Sequence, residues 1–320
     1  MELTYRAFGL TIGSEIPLVG LPTTDEAPEV SIRRATLPEW NGDDATIRYG
    51  DRCRIRGQQW SVQFKGLPFA GLIQNGNSIK FDADPAQDEM ASLHVLGSCT
   101  GALLFQRGLV PLHGNTIAGP EGSAMVVGRI GTGKSSTTFA LLRRRYNLVA
   151  DDISAVSLET DEPHVTPGFP RLKLWKTTLE HFGRNFEDLR RLRSGMDKYH
   201  YPVNERFCAT PQKLNAIYIL QPRDAPGIRI RPLAGLAKLD ALRTQLYKIR
   251  FADAIQNWPP LLGKMCRLAD SVRVSIVERP TDGVSIEAVA EAIERDFSEV
   301  RQIRPRGPDP SGSRNAASAA

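Results

Sequence analysis

The chain has no run of 18 or more apolar residues, so its sequence offers no candidate for a membrane-spanning helix. Cysteine is scarce: Cys53, Cys99, Cys208 and Cys266 stand far apart and form no CxxC. That spacing argues against a disulfide framework or a zinc site, and for reduced thiols in a cytoplasmic protein. Basic and aromatic residues are not interleaved, so no stacking platform for nucleic acid is expected. The opening stretch MELTYRAFGLTIGSEIPL lacks a basic n-region and a long apolar core, and is not expected to be a signal peptide. There is no internal repeat. No nucleic acid and no membrane is expected as partner.

What is present is an ordinary globular composition, 41% hydrophobic and 24% charged, with a net charge of +5. A mild positive excess suits an anionic ligand. The first part of the chain, 1–84, is rich in short alternating runs such as LTYRAFGLTI, EVSIRRA, WSVQF and GNSIKF, broken by Gly, Pro, Asn and Asp. These predict a small antiparallel β-rich domain or sheet cap of six or so strands. Residues 85–107 predict a linking helix, with Met90, Leu93, Leu96, Cys99 and Leu103 recurring mostly at three or four. Asp84-Pro85 is its start signal.

From residue 108 the pattern changes to mixed strands and helices. Two adjacent strands read LVPLHGNTIAG and SAMVVG. A helix is predicted from Lys134 to about Arg145, then strands at 147–150 and 153–158. Beyond these come a helical patch near 176–192, a strand at 214–220, helices across 237–268, a strand at 272–277 and a helix at 285–297. This order predicts an α/β core over 108–300. The tail 304–320, PRGPDPSGSRNAASAA from its second residue on, is expected to be disordered.

Within that core, Gly128-Arg-Ile-Gly-Thr-Gly133-Lys134-Ser135 matches GxxxxGK[ST] in full. An apolar strand precedes it and a helix follows, which is the context a phosphate-binding loop needs. Glycines let backbone N–H groups turn inward around phosphates, and the helix start adds positive potential there. In such a loop Lys134 neutralises β- and γ-phosphate oxygens of ATP, and the Ser135 hydroxyl ligates Mg2+.

A helix later, Asn147-Leu-Val-Ala150 ends in Asp151-Asp152. Carboxylates at the C-terminal edge of a buried strand sit where α/β sheets bind ligands. Phosphoryl transfer needs a metal held near the phosphates and a base for the attacking group, and two neighbouring acids suit those two tasks. Adjacent strand residues point to opposite faces, so both reach one site only if the chain turns there.

Taken together, PLHGNTIAG, VVGRIGTGKSS and LVADD resemble the catalytic domain of the HPr serine kinase/phosphorylase family, clearly over 108–160 and loosely to 290. The resemblance implies a P-loop kinase core of the HPr kinase/phosphoenolpyruvate carboxykinase type behind an N-terminal β-rich domain. It implies ATP and Mg2+ as cofactors, held by Gly128, Gly131, Thr132, Gly133, Lys134, Ser135 and Ser136. Asp151 would be the base that accepts a substrate serine proton. Asp152 would help hold it or, with Ser135, the metal, and His113 would lie beside both acids and tune them. The family's arginine-glycine signature of the reverse, phosphorolytic activity is absent. In its region stands PGFPRLKLW, which places Arg171 and Lys173 on one strand face where they would grip phosphate or an acidic substrate. Lys198, in MDKYHYPV, is a further cation for phosphate.

The front end, YRAFGLTIGSEIPL, is similar instead to stand-alone HPr-kinase-like proteins, some of which accompany ribosomal-peptide genes, including lasso-peptide genes. There such kinases phosphorylate the C-terminal serine of a precursor peptide. The expected activity is therefore an ATP-dependent serine kinase whose partner is a peptide or small protein bearing a serine. A homo-oligomer would be in keeping with the hexameric HPr enzymes. A small-molecule kinase of the same core, and a P-loop ATPase or regulatory switch, are the alternatives.

Overall fold

A computed structural model describes residues 3–38, 47–49, 53–57, 59–63, 68–120, 122–224, 226–249, 258–281 and 285–303. The tail expected to be disordered lies outside them.

The N-terminal strands are β1 (Leu3–Ala7), β2 (Leu10–Ser14), β3 (Val30–Arg34), β4 (Ile47–Tyr49), β5 (Cys53–Arg56), β6 (Gln59–Gln63), β7 (Phe69–Gln74) and β8 (Ser78–Ala83). They form one sheet in the order β1-β2-β3-β8-β7-β6-β5-β4. Two expectations are corrected. The sheet is mixed, because β3 runs parallel to both β2 and β8. The run LTYRAFGLTI is a hairpin, since Phe8 and Gly9 take φ of +55° and +72° and reverse the chain.

The expected linking helix is three helical pieces: α1 (Asp88–His94), a π-helical turn Val95–Cys99, and α2 (Thr100–Gln106). Asp84 caps the short turn before it by accepting from the Ala86 N–H at 2.8 Å. Gly101 faces Tyr247 so closely that a Cβ there would lie 2.6 Å from its ring.

The second sheet is built on β9 (Val110–Gly119). On one side β9 pairs antiparallel with β10 (Gly122–Gly128). On the other it pairs first with β11 (Asn147–Ala150), then with β12 (Ile153–Ser157). Next come β13 (His164–Thr166) and β16 (Gln212–Arg223), and β16 also runs parallel to β10, so the pairings close a circuit. β18 (Arg273–Pro280) extends the sheet parallel to β16, and β17 (Arg229–Pro232) forms its edge. Strands β14 (Arg171–Trp175) and β15 (Lys198–Pro202) make a separate antiparallel hairpin.

Alternation along β10 splits its side chains between two cores. Met125 and Val127 join a cluster that runs through Leu103 and Leu104 of α2 to Ile32 and Phe81 of the N-terminal sheet. Ala124 and Val126 face a second cluster with Leu141, Leu172, Leu174, Tyr218 and Ile293. A sheet buried on both faces reads as continuous apolar sequence, as SAMVV does.

The second cluster is covered by α3 (Lys134–Leu142), the β14–β15 hairpin and the helix Ile286–Ile303. The helical patch expected at 176–192 stops early, as α4 (Lys176–His181). Gly183 takes φ of +59°, and the Arg184 N–H donates to the Leu179 carbonyl at 2.8 Å, a left-handed closure that ends the helix. The helices expected across 237–268 are α5 (Gly235–Arg243) and the helix Trp258–Ser271.

Candidate functional site

β9 sets the distance between the phosphate loop and the aspartates. β10 and β11 flank it and both run antiparallel to it, so their C-terminal ends reach the same edge of the sheet. Val127, the residue before Gly128, pairs with Gly114; Ala150, the residue before Asp151, pairs with Thr116. Gly114 admits this spacing, because a Cβ there would lie 2.7 Å from the Val126 carbonyl.

The loop from Gly128 to Gly133 turns on three glycines with positive φ, Gly128, Gly131 and Gly133. A Cβ on Gly128 would meet the Leu220 carbonyl at 2.8 Å, a backbone atom that cannot step aside. The Thr132 hydroxyl donates to the Arg129 carbonyl at 2.8 Å and closes the loop on itself. Lys134 Nζ lies back across it, donating to the carbonyls of Gly128 at 2.8 Å and Arg129 at 3.1 Å. Ser135 sits in the first turn of α3, and the Ser136 hydroxyl is 2.8 Å from that of Thr178 on α4.

The two aspartates share one site because the backbone turns between them. Asp152 has φ of +68°, a left-handed conformation that Asp tolerates better than most residues. The Ile153 N–H donates to the Asp151 carbonyl at 2.8 Å across this turn. Asn115 holds the turn by accepting from the Asp152 N–H at 3.0 Å. Its amide also donates to the Thr138 hydroxyl of α3 at 3.2 Å, tying turn and helix together.

Lys173 binds both acids. Its backbone N–H donates to Asp151 Oδ2 at 3.0 Å, and its ammonium lies 2.8 Å from Asp152 Oδ2. His113 Nδ1 is 3.2 Å from the Asp152 carbonyl, an acceptor that selects the Nδ1–H tautomer, and 3.4 Å from Asp152 Oδ1. The Tyr247 ring packs beneath His113 at 5.8 Å.

These contacts drive the two carboxyls apart. Asp151 is 6% exposed, and burial pushes it up to about 6 against the pull of Lys173. Burial also raises Asp152, but Lys173 and His113 outweigh it and hold that carboxyl below the ordinary range. Lys134 is lowered by burial, with Asp152 opposing. His113 is likewise lowered, burial outweighing Asp152.

Lys173 comes from the cationic face of the β14–β15 hairpin. Alternation puts Arg171, Lys173 and Trp175 on that face, opposite Lys198 and His200. His200 is held down to about 3 by burial and by the cations around it. Lys198 rests 5.6 Å from the Trp175 ring, and its charge reaches both aspartates and Lys134.

Arg171 is the buried member of that face. It is 4% exposed, stacks on Phe169 and donates to the Val19 carbonyl of the N-terminal segment. It braces the hairpin against the N-terminal segment, and its charge reaches both aspartates. Three contributors were not singled out from sequence. Asn115 stands inside PLHGNTIAG with no role assigned to it, and Tyr247 carries no motif. Arg279, whose Nη2 donates to the Thr132 carbonyl at 3.0 Å, carried the faint signal of a cation closing the strand VSIVERP.

Fold and site define a mixed α/β protein with a P-loop and an aspartate pair on one sheet edge. No family model and no curated protein matches the sequence. Among solved structures it is similar to the Hpr(Ser) kinase/phosphatase from Coxiella burnetii, at 12% identity, 60% coverage of this chain, 98% of that chain and a TM-score of 0.34. A likeness of that size leaves the functional reading to rest on the site's own geometry. No helix among the described residues is long and apolar enough to cross a membrane.

Proposed function

We propose that this chain is an ATP-dependent serine kinase that phosphorylates a peptide or small protein. The observation that carries the reading is the aspartate turn, fixed beside a P-loop with its two carboxyls driven to opposite protonation behaviour.

ATP would lie with its γ-phosphate between Lys134 and the hairpin cations Lys173 and Lys198. Binding requires Lys134 to leave the carbonyls of Gly128 and Arg129 for the phosphates. Asp151, raised toward neutrality, is suited to take the proton of the acceptor hydroxyl. The serine oxygen then forms its bond to the γ-phosphorus as the bond to the leaving ADP oxygen breaks. Asp152 stays ionised, and with Lys173 it fixes the turn from which Asp151 projects.

No cluster of three or more His, Cys, Asp or Glu among the described residues would cage a metal. A hydroxyl and one carboxylate fit Mg2+, which takes its other oxygens from phosphate and water. Ser135 and Asp152 would be those two ligands, and the ion would neutralise charge on the transferred phosphoryl group.

The test is transfer of labelled γ-phosphate from ATP to serine-bearing peptides, with Asp151→Asn and Lys134→Ala as variants. Both variants should fold and lose transfer. Full transfer by Asp151→Asn would remove the assigned base. Steady hydrolysis of ATP with no labelled acceptor would favour a regulatory ATPase, and labelling of metabolites alone would favour a small-molecule kinase.

A further inference from the structure

The ladder between β9 and the strands that carry the acids is open for two residues. Ala150 pairs with Thr116 and Ile153 with His113, which leaves Gly114 and Asn115 opposite Asp151 and Asp152, outside the paired register on that side. Side chains close the gap. Asn115 Oδ1 accepts the Asp152 N–H at 3.0 Å, and the Ser154 hydroxyl donates to the Gly114 carbonyl at 3.0 Å. The Thr116 and Ser154 hydroxyls lie 2.7 Å apart beside them.

Asn115 is a polar residue in an apolar place. It stands across from Val126 of β10, on the face that α3 covers, where Val126 and Ile117 belong to the second cluster. It is 1% exposed, and Thr138, which takes its amide N–H, is fully buried. An apolar side chain of the same size would fill this space, and a buried amide costs stability unless it is hydrogen-bonded. What the amide supplies is an acceptor where the ladder has none. The donor it meets is the N–H of Asp152, whose φ of +68° turns both carboxyls into one site.

We propose that Asn115 is a positioning residue for phosphoryl transfer, acting through the Asp152 main chain to keep the two acids together and in place relative to the phosphate loop. This rests on the reading of the site as a kinase. The far end of the link is Thr138, one helical turn after Lys134 on α3 and so on the same face of the helix. Without Asn115, Asp152 relaxes toward extended backbone, in which adjacent side chains point to opposite faces. Its carboxylate then leaves Lys173 and His113, and the base stands alone.

The test replaces Asn115 by Leu, which removes both hydrogen bonds at similar volume. Two measurements are made on the folded variant: transfer of γ-phosphate from ATP to a serine-bearing peptide, and carboxyl NMR titration of labelled aspartate without nucleotide or metal. The kcat should fall about tenfold or more, with KM for ATP within about twofold of wild type. Asp152, held low by Lys173 and His113, should move up toward the ordinary carboxylate range. Thr138→Val removes only the helix end of the link and keeps the test open if Asn115→Leu does not fold. It should shift kcat in the same direction, and Thr138→Ser, which keeps the hydroxyl, should restore it. A lowered melting temperature with wild-type kcat and an unmoved Asp152 titration would overturn the proposal and leave the kinase reading intact. Absence of transfer by the wild type would sink the kinase reading and the transfer role of Asn115 with it.

Discussion

Lys173 and Asp152 lie 2.8 Å apart, ammonium to carboxylate, in a site where the lysine side chain is 13% exposed and the aspartate 30%. The same lysine donates its backbone N–H to Asp151. One residue of the hairpin thus fixes both acids, one by charge and one by the main chain.

Replacing Lys173 by Met removes only the charged half of this arrangement. Asp152 then keeps a part-buried carboxylate beside His113, with the Lys198 charge still reaching it, at a cost of ~1–3 kcal/mol. Urea unfolding should show that loss, and Lys173→Met combined with Asp152→Asn should recover part of it. Equal and additive losses would mean that the two residues do not act as a pair.

Asp151 makes the opposite prediction. Its carboxyl sits near 6 in the folded protein against an ordinary 3.8, so folding favours the protonated form. Stability from this group is fully present below about pH 4 and is lost as pH rises through 6. Asp151→Asn does not titrate and should be more stable than the wild type at pH 8, by up to ~3 kcal/mol, with the two converging near pH 4. Thermal melts in magnesium-free buffer containing chelator would measure it. A variant less stable than wild type at pH 8 would contradict the burial argument.

The loop glycines should differ in kind. Gly133→Ala places a Cβ in ordinary contact with Arg279, 3.7 Å from its Nη2, but at φ of +94°, a conformational cost of ~1–2 kcal/mol. Gly128→Ala adds a 2.8 Å approach to the Leu220 carbonyl and should cost more, since strand β16 must shift to relieve it. Melting temperatures of the two variants should rank in that order.

The N-terminal sheet reaches the site through Phe8. This residue is 2% exposed, packs edge-on against Phe169 at 6.0 Å, and its N–H donates to the Pro167 carbonyl at 2.7 Å. The braced segment leads directly into β14 and Lys173. Phe8→Ala should cost ~3–5 kcal/mol and speed hydrogen exchange at Gly168 and Lys173. Unchanged exchange there would mean that the tip of the β1–β2 hairpin does not hold the site.

The site was unevenly legible in the sequence. GRIGTGKS and LVADD are local signals: the glycine conformations, the helix start and the strand end are set by neighbours in the chain. The fit of Lys173 was half visible, because alternation put it on a face with Arg171. What separates the two is where that face goes, and Arg171 turns out to meet Val19, 152 positions away. The end of α4 was legible in principle, since Gly183 stands where a left-handed closure falls, but the apolar and basic residues beyond it kept the helical pattern running.

By itself, then, the sequence determined the phosphate loop, the helix it opens and the acids one strand later, because each depends on backbone preferences within a few residues. Only the tertiary structure decided that the loop and the acids share an edge. That follows from β9 pairing on both its sides, with Gly114 thin enough to pass Val126. Only the tertiary structure, too, gave the acids different characters. A positive φ at Asp152 turns its carboxylate toward Lys173 and His113, while Asp151 is left buried with a single N–H. Burial and charge at that range belong to the folded arrangement, which no local stretch of chain encodes.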